Sequence, residues 1–327
     1  MRAVLIVNPN ATSTTAAGRD LLAHALESRV RLTVEHTNHR GHAIEIAEQA
    51  VLDGVDVVIV HGGDGTVNEV VNGLLGKPGG AAPTNAQHRI PAVGVVPGGS
   101  ANVFARSLGI PQDPIDATNQ LIDLLSEYRR TRTWRRIGLM DCGERWGVFT
   151  AGMGVDGEVV ASVEAQRDRS AKQKGVSAMR YIRAAVPTVL RSARREPTLT
   201  LQLGGREPVP GVHFVFVSNS SPWTYANKRP VWTNPGTGFD TGLGVFATTS
   251  MSVWRNVWLV RQMLSKRPKL KAAHLIREDD VDFVRVTSDI PVATQIDGDY
   301  IGFRDAMTFR AVADAVAVVA PLRGTDE

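Results

Sequence analysis

The sequence predicts an α/β fold, with a doubly wound, mostly parallel sheet in the first part of the chain and a β-rich second part. Up to about residue 134, apolar runs of strand length alternate with stretches of helical periodicity. Beyond that point, short β-prone runs are separated by turn-rich loops. We therefore expect two domains, one of residues 1–135 completed by about 306–327, and one of residues 136–305.

In the first part, the strand candidates are short apolar or alternating runs at residues 3–7, 30–36, 55–60 and 92–96. The helix candidates between them carry apolar residues at helical spacing and cover residues 14–28, 39–52 and 66–75. Strands and helices that alternate in this way form a parallel sheet, and ligands bind beyond the carboxyl ends of its strands. A ligand-binding site is therefore expected in the loops that follow the strands.

In the second part, the strand candidates lie at residues 147–151, 198–203, 212–218, 244–248, 281–287 and 292–296. Helices are expected around residues 177–194 and 252–264. A last apolar stretch, Val312–Ala320, is expected to return to the first domain.

Composition excludes several classes of protein. With 43% hydrophobic and 21% charged residues, the chain is neither disordered nor fibrous. Its single cysteine, Cys142, cannot form an internal disulfide, which favours a reducing cytoplasm. No run reaches the roughly 18 apolar residues that span a bilayer, so any membrane association is expected to be peripheral. The net charge of +4 favours an anionic partner.

The strongest local signal is the segment from His61 to Glu69, which reads HGGDGTVNE and lies where a buried strand ends and a helix begins. Gly62, Gly63 and Gly65 let the backbone approach a ligand, and the N–H groups of a helix N-terminus attract phosphate. The carboxylate of Asp64 would repel phosphate unless a metal ion stood between them, which indicates a Mg²⁺-nucleotide. Thr66 and Glu69 also have the spacing of a capping box.

Two further loops follow neighbouring strands. Gly98 and Gly99 free the backbone of the segment from Val96 to Asn102, and Ser100 is placed to cap the next helix. The polar segment from Asn8 to Thr12 follows the first strand. All three loops are expected to lie at the same edge of the sheet. The P-loop, dinucleotide-binding and protein-kinase signatures are absent.

Together, these residues resemble the diacylglycerol kinase catalytic family, which includes bacterial lipid kinases and is related to sphingosine kinases and more distantly to NAD kinases. The resemblance rests on an ordered series of motifs along the chain: Val7–Pro9, Thr37 with Gly41–Ala43, Gly62–Thr66 with Asn68–Glu69 and Asn72–Gly73, Pro97–Asn102, Gly152–Gly154 with Asp156, and Gln295–Asp299.

The resemblance implies an ATP- and Mg²⁺-dependent kinase that phosphorylates a hydroxyl of diacylglycerol or a related lipid. It also implies a C-terminal β-sandwich, with the active site in the cleft between the domains. Asp64 matches an aspartate near the phosphates and metal, and Asp297 matches the acid proposed to activate the acceptor hydroxyl. The expected nucleotide-binding residues are Asn8, Thr37, Gly62, Gly63, Asp64, Gly65, Thr66, Glu69, Gly98, Gly99, Ser100 and Asn102.

The chain departs from the family pattern at three places. Val103 follows Asn102 where the bacterial enzymes usually have an aspartate, and Asp299 stands where they usually have a glutamate. In the stretch that resembles the family's structural Mg²⁺ site, residues 236–244, Asp240 is kept and glycine occupies other acidic positions. Asp240 is therefore the candidate ligand of that metal, and Asp299 joins Asp297, Asp64 and Asp156 as a candidate catalytic acid.

Two of these acids also have an ordinary structural interpretation. Asp297-Gly298 between Ile296 and Tyr300 is a typical hairpin turn, whereas the resemblance favours Asp297 as general base. Asp156 follows a glycine-containing turn, where it could position Asp297 or a metal-bound water, or simply be a solvated loop acid or a cap.

The expected partners are ATP, a lipid acceptor and an anionic membrane surface. Trp254 and Trp258 lie one helical turn apart before a basic run, and a second basic stretch carries Arg180, Arg183, Arg191, Arg194 and Arg195. In the ordinary structural interpretation, the two tryptophans are core residues and the basic runs are solvated charge. An NAD kinase-like enzyme and a catalytically weak lipid- or nucleotide-binding regulator remain alternatives. A homodimer is left open, and no nucleic-acid-binding module is found.

Overall fold

The computed structural model describes residues 1–11, 16–80, 89–169, 195–226, 229–252, 261–263, 265 and 271–322. The chain forms two compact units. The first comprises Met1–Leu139, Gly143–Trp146 and Asp314–Glu327, and the second comprises Met140–Cys142 and Gly147–Ala313.

The first unit is a parallel sheet with helices between its strands. In chain order its elements are β1 (Arg2–Val7), α1 (Ala16–Glu27), β2 (Arg31–His36), α2 (His42–Leu52), β3 (Val57–Gly62), α3 (Asp64–Leu75), β4 (Ala92–Pro97), α4 (Val103–Ser107), α5 (Pro114–Thr131) and β5 (Arg135–Asp141). The strand order is β2-β1-β3-β4, all parallel. Val318 pairs in parallel with Val93 on β4.

Burial explains why these segments take these forms. All residues of β3 and β4 are buried, as expected for strands covered on both faces. Helix α3 buries an apolar stripe that includes Val67, Val70, Val71 and Leu74. Gly73 permits close packing of α3 on α2, because a Cβ there would lie 2.4 Å from the carbonyl oxygen of Ile44.

The second unit is mainly antiparallel. Its elements are β6 (Trp146–Gly147), β7 (Thr150–Gly154), α6 (Val155–Arg169), β8 (Leu199–Leu203), β9 (Val209–Val212), β10 (Phe214–Ser218), β11 (Thr224–Ala226), β12 (Arg229–Val231), β13 (Leu243–Thr248), β14 (Leu275–Val281), β15 (Phe283–Ile296) and β16 (Asp299–Val318). The unit boundaries cut through three strands: the first unit includes the first residue of β6 and the end of β16 from Asp314, and the second includes the end of β5 from Met140. The strand order is β14-β13-β10-β7-β15-β16, with β8 beside β15 and β9 beside β8. Its core includes Met153, Leu201, Val217, Val245 and Phe309.

The predicted fold class is confirmed: the N-terminal strands are parallel and the C-terminal region is antiparallel and strand-rich. Two predicted strands, 281–287 and 292–296, form the single strand β15, whose register shifts between Thr287 and Val292. The predicted helix at 177–194 and nearly all of the one at 252–264 lie outside the described residues. Among the described helices, none is both long and apolar enough to cross a membrane.

Candidate functional site

The structure brings the loops after β1, β3 and β4 together at the carboxyl edge of the parallel sheet. Asn8, after β1, donates from Nδ2 to Oγ1 of Thr66 in the first turn of α3 at 3.1 Å. The N–H of Gly98, after β4, donates to the carbonyl oxygen of Gly62 at 2.8 Å. Thr37, after β2, donates its N–H to the carbonyl oxygen of Val7. These contacts place Asn8, Thr37 and both glycine loops at one edge.

The two glycine loops touch through their backbones. A Cβ added to Gly99 would lie 2.7 Å from the Cα of Gly63, and one added to Gly63 would lie 3.3 Å from the Cα of Gly99. The first of these distances is too short for any real Cβ, so the loops can approach this closely only with glycine at position 99. By contrast, nothing lies within 4 Å of the Cβ position of Gly65, which is exposed.

The N-terminus of α3 has no side-chain cap. Gly63 is its N-cap residue, and the N–H groups of Thr66 and Val67 both donate to the Gly63 carbonyl oxygen. The N–H groups of Asp64 and Gly65 belong to the first turn, where no intrahelical acceptor exists. In the first unit, α2 and α5 differ from α3, because carboxylates occupy their first turns. Helix α3 therefore presents the open, partially positive end that an anion can bind.

The capping box that the spacing of Thr66 and Glu69 indicates does not form. The helix begins two residues before Thr66, whose hydroxyl accepts from Asn8. The carboxylate of Glu69 instead accepts from the N–H groups of Gly41 at 3.0 Å and Ala43 at 3.3 Å. Glu69 thus closes the N-terminus of α2, which has no side-chain cap of its own at Gly41.

Asp64 joins the first glycine loop to the helix that follows the second. Its Oδ2 accepts from the N–H of Val103 and its Oδ1 from the N–H of Phe104, both at 3.0 Å. Burial raises the pKa of Asp64 above its ordinary value, and the N–H groups of Phe104 and Val103 act in the opposite direction. The first two N–H groups of α4 therefore receive their cap from a residue 39 and 40 positions earlier.

Ser100 does not cap α4, contrary to the sequence expectation. Asn102 is the N-cap residue, in a left-handed conformation with φ 48°. Its side chain closes the second loop, because Oδ1 accepts from the N–H of Gly99 and Nδ2 donates to the Gly99 carbonyl oxygen, each at 2.9 Å. Ser100 lies exposed at the tip of the loop. The side-chain cap of α4 comes instead from Asp64, which is distant in sequence.

Two asparagines on α3 have a structural role that sequence reasoning did not assign. Asn72 accepts from the N–H of Trp146 at 2.8 Å and donates to the Trp146 carbonyl oxygen at 3.1 Å, as a neighbouring strand would. Asn68 is almost fully buried and accepts from the guanidinium of Arg145. In the sequence, the two asparagines appear only as members of the motifs Asn68–Glu69 and Asn72–Gly73, one helical turn apart.

His61 precedes the first glycine loop and is only 3% exposed. Burial lowers the pKa of His61 below its ordinary value, the hydrogen bond to Val96 raises it and the charge of Arg19 lowers it. A neutral ring fits its contact, in which Nδ1 donates to the carbonyl oxygen of Val96 at 3.2 Å. His61 thus ties β3 to β4 directly before their loops.

In the second unit, Asp297 occupies the hairpin turn between β15 and β16, with φ 53°. Its Oδ2 accepts from the N–H of Val148 at 2.7 Å, and its Oδ1 accepts from those of Phe149 at 2.7 Å and Thr150 at 2.8 Å. The left-handed conformation of Asp297 therefore directs its side chain toward three backbone donors. The geometry holds the Asp297 carboxylate in one orientation.

Gln295 links that turn to α6. Its Oε1 accepts from the N–H of Gly298 at 2.9 Å, and its Nε2 donates to Oδ2 of Asp156 at 2.7 Å. Gln295 is 2% exposed, so this bridge is shielded from water. Asp156, in the first turn of α6, therefore reaches the Asp297 turn through Gln295. Gln295 belongs to the motif Gln295–Asp299, but the sequence alone indicated no role for its side chain.

The remaining predicted acids do not form a metal cluster. Asp240 is exposed and Asp299 is half-buried. Within the part of the chain that the structure describes, no group of three His, Cys, Asp or Glu side chains could hold a metal ion. The assignments of Asp240 and Asp299 stay predictions.

The predicted membrane-facing residues can be followed only in part. Trp254, Trp258, Arg180, Arg183, Arg191 and Arg194 lie outside the described residues. Arg195 is described, and its guanidinium forms an exposed ion pair with Glu158 at 2.7 Å. An exposed pair of this kind contributes little to stability.

The chain is similar in sequence to known lipid kinases over part of its length. The model of the diacylglycerol kinase catalytic domain matches residues 2–130. A diacylglycerol kinase of Bacillus subtilis is 40% identical over 122 residues, which are 35% of this chain and 35% of the relative. A YegS-like lipid kinase of Chromohalobacter salexigens is 30% identical over 151 residues, 46% of this chain and 43% of the relative. The similarity thus spans less than half the length of these curated relatives.

Solved structures extend the similarity of fold to nearly the whole chain. A crystal structure of a diacylglycerol kinase from Bacillus anthracis matches with a TM-score of 0.69 at 17% identity, over 98% of this chain and 97% of that one. A second crystal structure from the same strain matches over the same shares, with a TM-score of 0.73 at 19% identity. At this level of identity, the similarity describes the fold alone.

Proposed function

Because residues 2–130 match the model of the diacylglycerol kinase catalytic domain, we propose that the chain is a lipid kinase that transfers the γ-phosphoryl group of ATP to a hydroxyl of diacylglycerol or a related lipid. The observation that carries the proposal is the uncapped N-terminus of α3, enclosed by the loops after β1 and β4. The negative charge of a triphosphate suits such an end. Peripheral contact with an anionic membrane would present the lipid acceptor.

Nucleotide binding in this proposal depends mainly on backbone groups. The N–H groups of Asp64 and Gly65 would donate to phosphate oxygens, and the exposed second loop at Ser100 would flank them. Most polar side chains around them already have partners in the protein. Asp64, Thr66 and Glu69 each contact another segment, and Asn102 contacts Gly99 of its own loop. These side chains would shape the phosphate site rather than fill it.

Mg²⁺ in this proposal arrives with the nucleotide. Both oxygens of Asp64 and both oxygens of Glu69 accept backbone N–H groups. The described residues hold no cluster of three metal-binding side chains. In this proposal, phosphate and water oxygens would supply most of the ligands of Mg²⁺. When bound, Mg²⁺ would neutralise charge on the transferring phosphate.

The transfer itself requires two bond changes and one proton movement. The acceptor oxygen forms a bond to the γ-phosphorus, while the bond from that phosphorus to the bridging oxygen of ADP breaks. Asp297 is the proposed base that takes the hydroxyl proton. Three backbone N–H groups hold this carboxylate in one orientation, and positioning is what the geometry contributes to the role.

A transfer assay with γ-labelled ATP and Mg²⁺ tests the proposal. The acceptors are diacylglycerol, a sphingoid base and another glycerolipid, each in vesicles with and without anionic lipid, together with NAD in solution. Label is expected in a lipid product. Label in NADP would instead support an NAD kinase-like enzyme, and transfer to no acceptor would support a binding protein without kinase activity.

A further inference from the structure

We propose that Asp64 is a positioning residue, whose carboxylate fastens the second glycine loop to the first, and that it does not act by binding the nucleotide's metal ion. The inference rests on the proposed function, because it concerns the same phosphate site. It assigns the aspartate of the glycine motif to construction of that site.

The hydrogen bonds of Asp64 carry the inference. Each carboxylate oxygen accepts one backbone N–H at 3.0 Å, from Val103 and Phe104. These two N–H groups open α4, whose own N-cap residue, Asn102, uses its side chain on Gly99. Without Asp64, the first turn of α4 would have no side-chain cap. A metal ion would have to share both oxygens with these N–H groups.

The hydrogen bonds of Asp64 are placed where they can hold the second glycine loop beside the first. The second loop already contacts the first through Gly98 and Gly62, at 2.8 Å, and through the close approach of Gly99 to Gly63. Asp64 adds a third tie on the far side of the second loop, at the start of α4. The segment from Gly98 to Val103 is thereby fixed at both ends beside the open end of α3. The N–H groups of Ser100 and Ala101, between these ties, and those at the start of α3 then form one anion site.

Binding measurements separate a positioning role of Asp64 from a metal-binding role. The affinities of the full chain for tripolyphosphate and for ATP are measured with Mg²⁺ and again with EDTA. In Asp64→Asn, one oxygen is replaced by an NH2 group that cannot accept, so one N–H of α4 is left without a partner. We expect affinity for both ligands to fall by about tenfold or more, by the same factor with and without Mg²⁺. A metal ligand would instead lose affinity only when Mg²⁺ is present.

Asp113→Asn is the matched control. Asp113 caps α5 in the same unit, and its Oδ1 accepts from the N–H groups of Ile115 at 2.9 Å and Asp116 at 3.2 Å. This variant should lower the melting temperature to a similar degree while leaving both affinities unchanged. Amide hydrogen exchange adds a second readout: Val103 and Phe104 should exchange faster in Asp64→Asn than in Asp113→Asn.

If Asp64→Asn does not fold, Asp64→Glu keeps the charge and moves it by one methylene. Positioning predicts weaker binding of both ligands, again independent of Mg²⁺. Loss of affinity only with Mg²⁺, or unchanged affinity in a folded variant, would overturn the inference. Wild-type chain that binds no triphosphate would overturn both the inference and the proposed site. Wild-type chain that binds ATP without transferring it would remove only the kinase activity.

Discussion

Replacing Asp297 by asparagine is expected to lower turnover by about 10²-fold or more, because asparagine cannot take up the acceptor's proton. The change also costs stability, since the NH2 group cannot accept one of the three N–H groups that now bond to the carboxylate. That loss should amount to about 1–3 kcal/mol. Turnover, the dissociation constant of ATP and the free energy of unfolding are measured on the same preparation.

Asp280→Asn is the control for that variant. Asp280 also has a positive φ, of 60°, and its Oδ1 accepts the N–H of Gly242 at 2.7 Å. Asp280 lies in β14, and like Asp297 it is an aspartate of positive φ in the second unit whose side chain bonds to backbone, without a proposed catalytic role. Its turnover should match wild type. Near-normal turnover of Asp297→Asn would remove Asp297 from the chemistry and leave it as an anchor of Val148–Thr150.

The second large effect is expected for Gly99→Ala. The new Cβ would meet the Cα of Gly63 at 2.7 Å and Oδ1 of Asn102 at 3.0 Å, so the two loops must separate. A displacement of about 1 Å at a positioned site can lower activity by about 10²-fold. We expect a loss of that size in kcat/KM for ATP, accompanied by weaker binding of ATP itself.

Gly204→Ala provides the comparison, because its Cβ would lie 3.6 Å from the nearest atom, an ordinary contact, in an exposed position after β8. Kinetic constants of this variant should equal those of wild type. If Gly99→Ala also retained wild-type kcat/KM and affinity for ATP, the close contact of the loops would have no part in nucleotide binding.

The parallel sheet could be predicted from sequence because its strands are short apolar runs buried on both faces, as at Val57–Gly62 and Ala92–Pro97. Helix α5 was missed although its start carries a recognisable signal, Asp113 followed by Pro114. Helix α6 follows Gly154, which has φ 85°, and has no polar N-cap residue to announce it. Its prediction needed tertiary information.

The site shows the same division between local and long-range causes. Sequence identified the glycine loops because glycine placement is a local requirement. It could not reveal the partners of Asp64 and Glu69, whose carboxylates bond to backbone groups 39 and 28 residues away. Local spacing therefore indicated a capping box at Thr66 and Glu69, whereas the fold supplied Glu69 with two N–H donors at the N-terminus of α2.

The open N-terminus of α3 is the proposed phosphate site, and titration of the ¹⁵N-labelled chain with ATP tests it most directly through the amide shifts of individual residues. The largest shifts are expected at Asp64 and Gly65, with smaller ones at Ser100 and Ala101. Saturable shifts at other helix N-termini, such as Gly41 and Ala43 on α2, with none at Asp64 and Gly65, would contradict it.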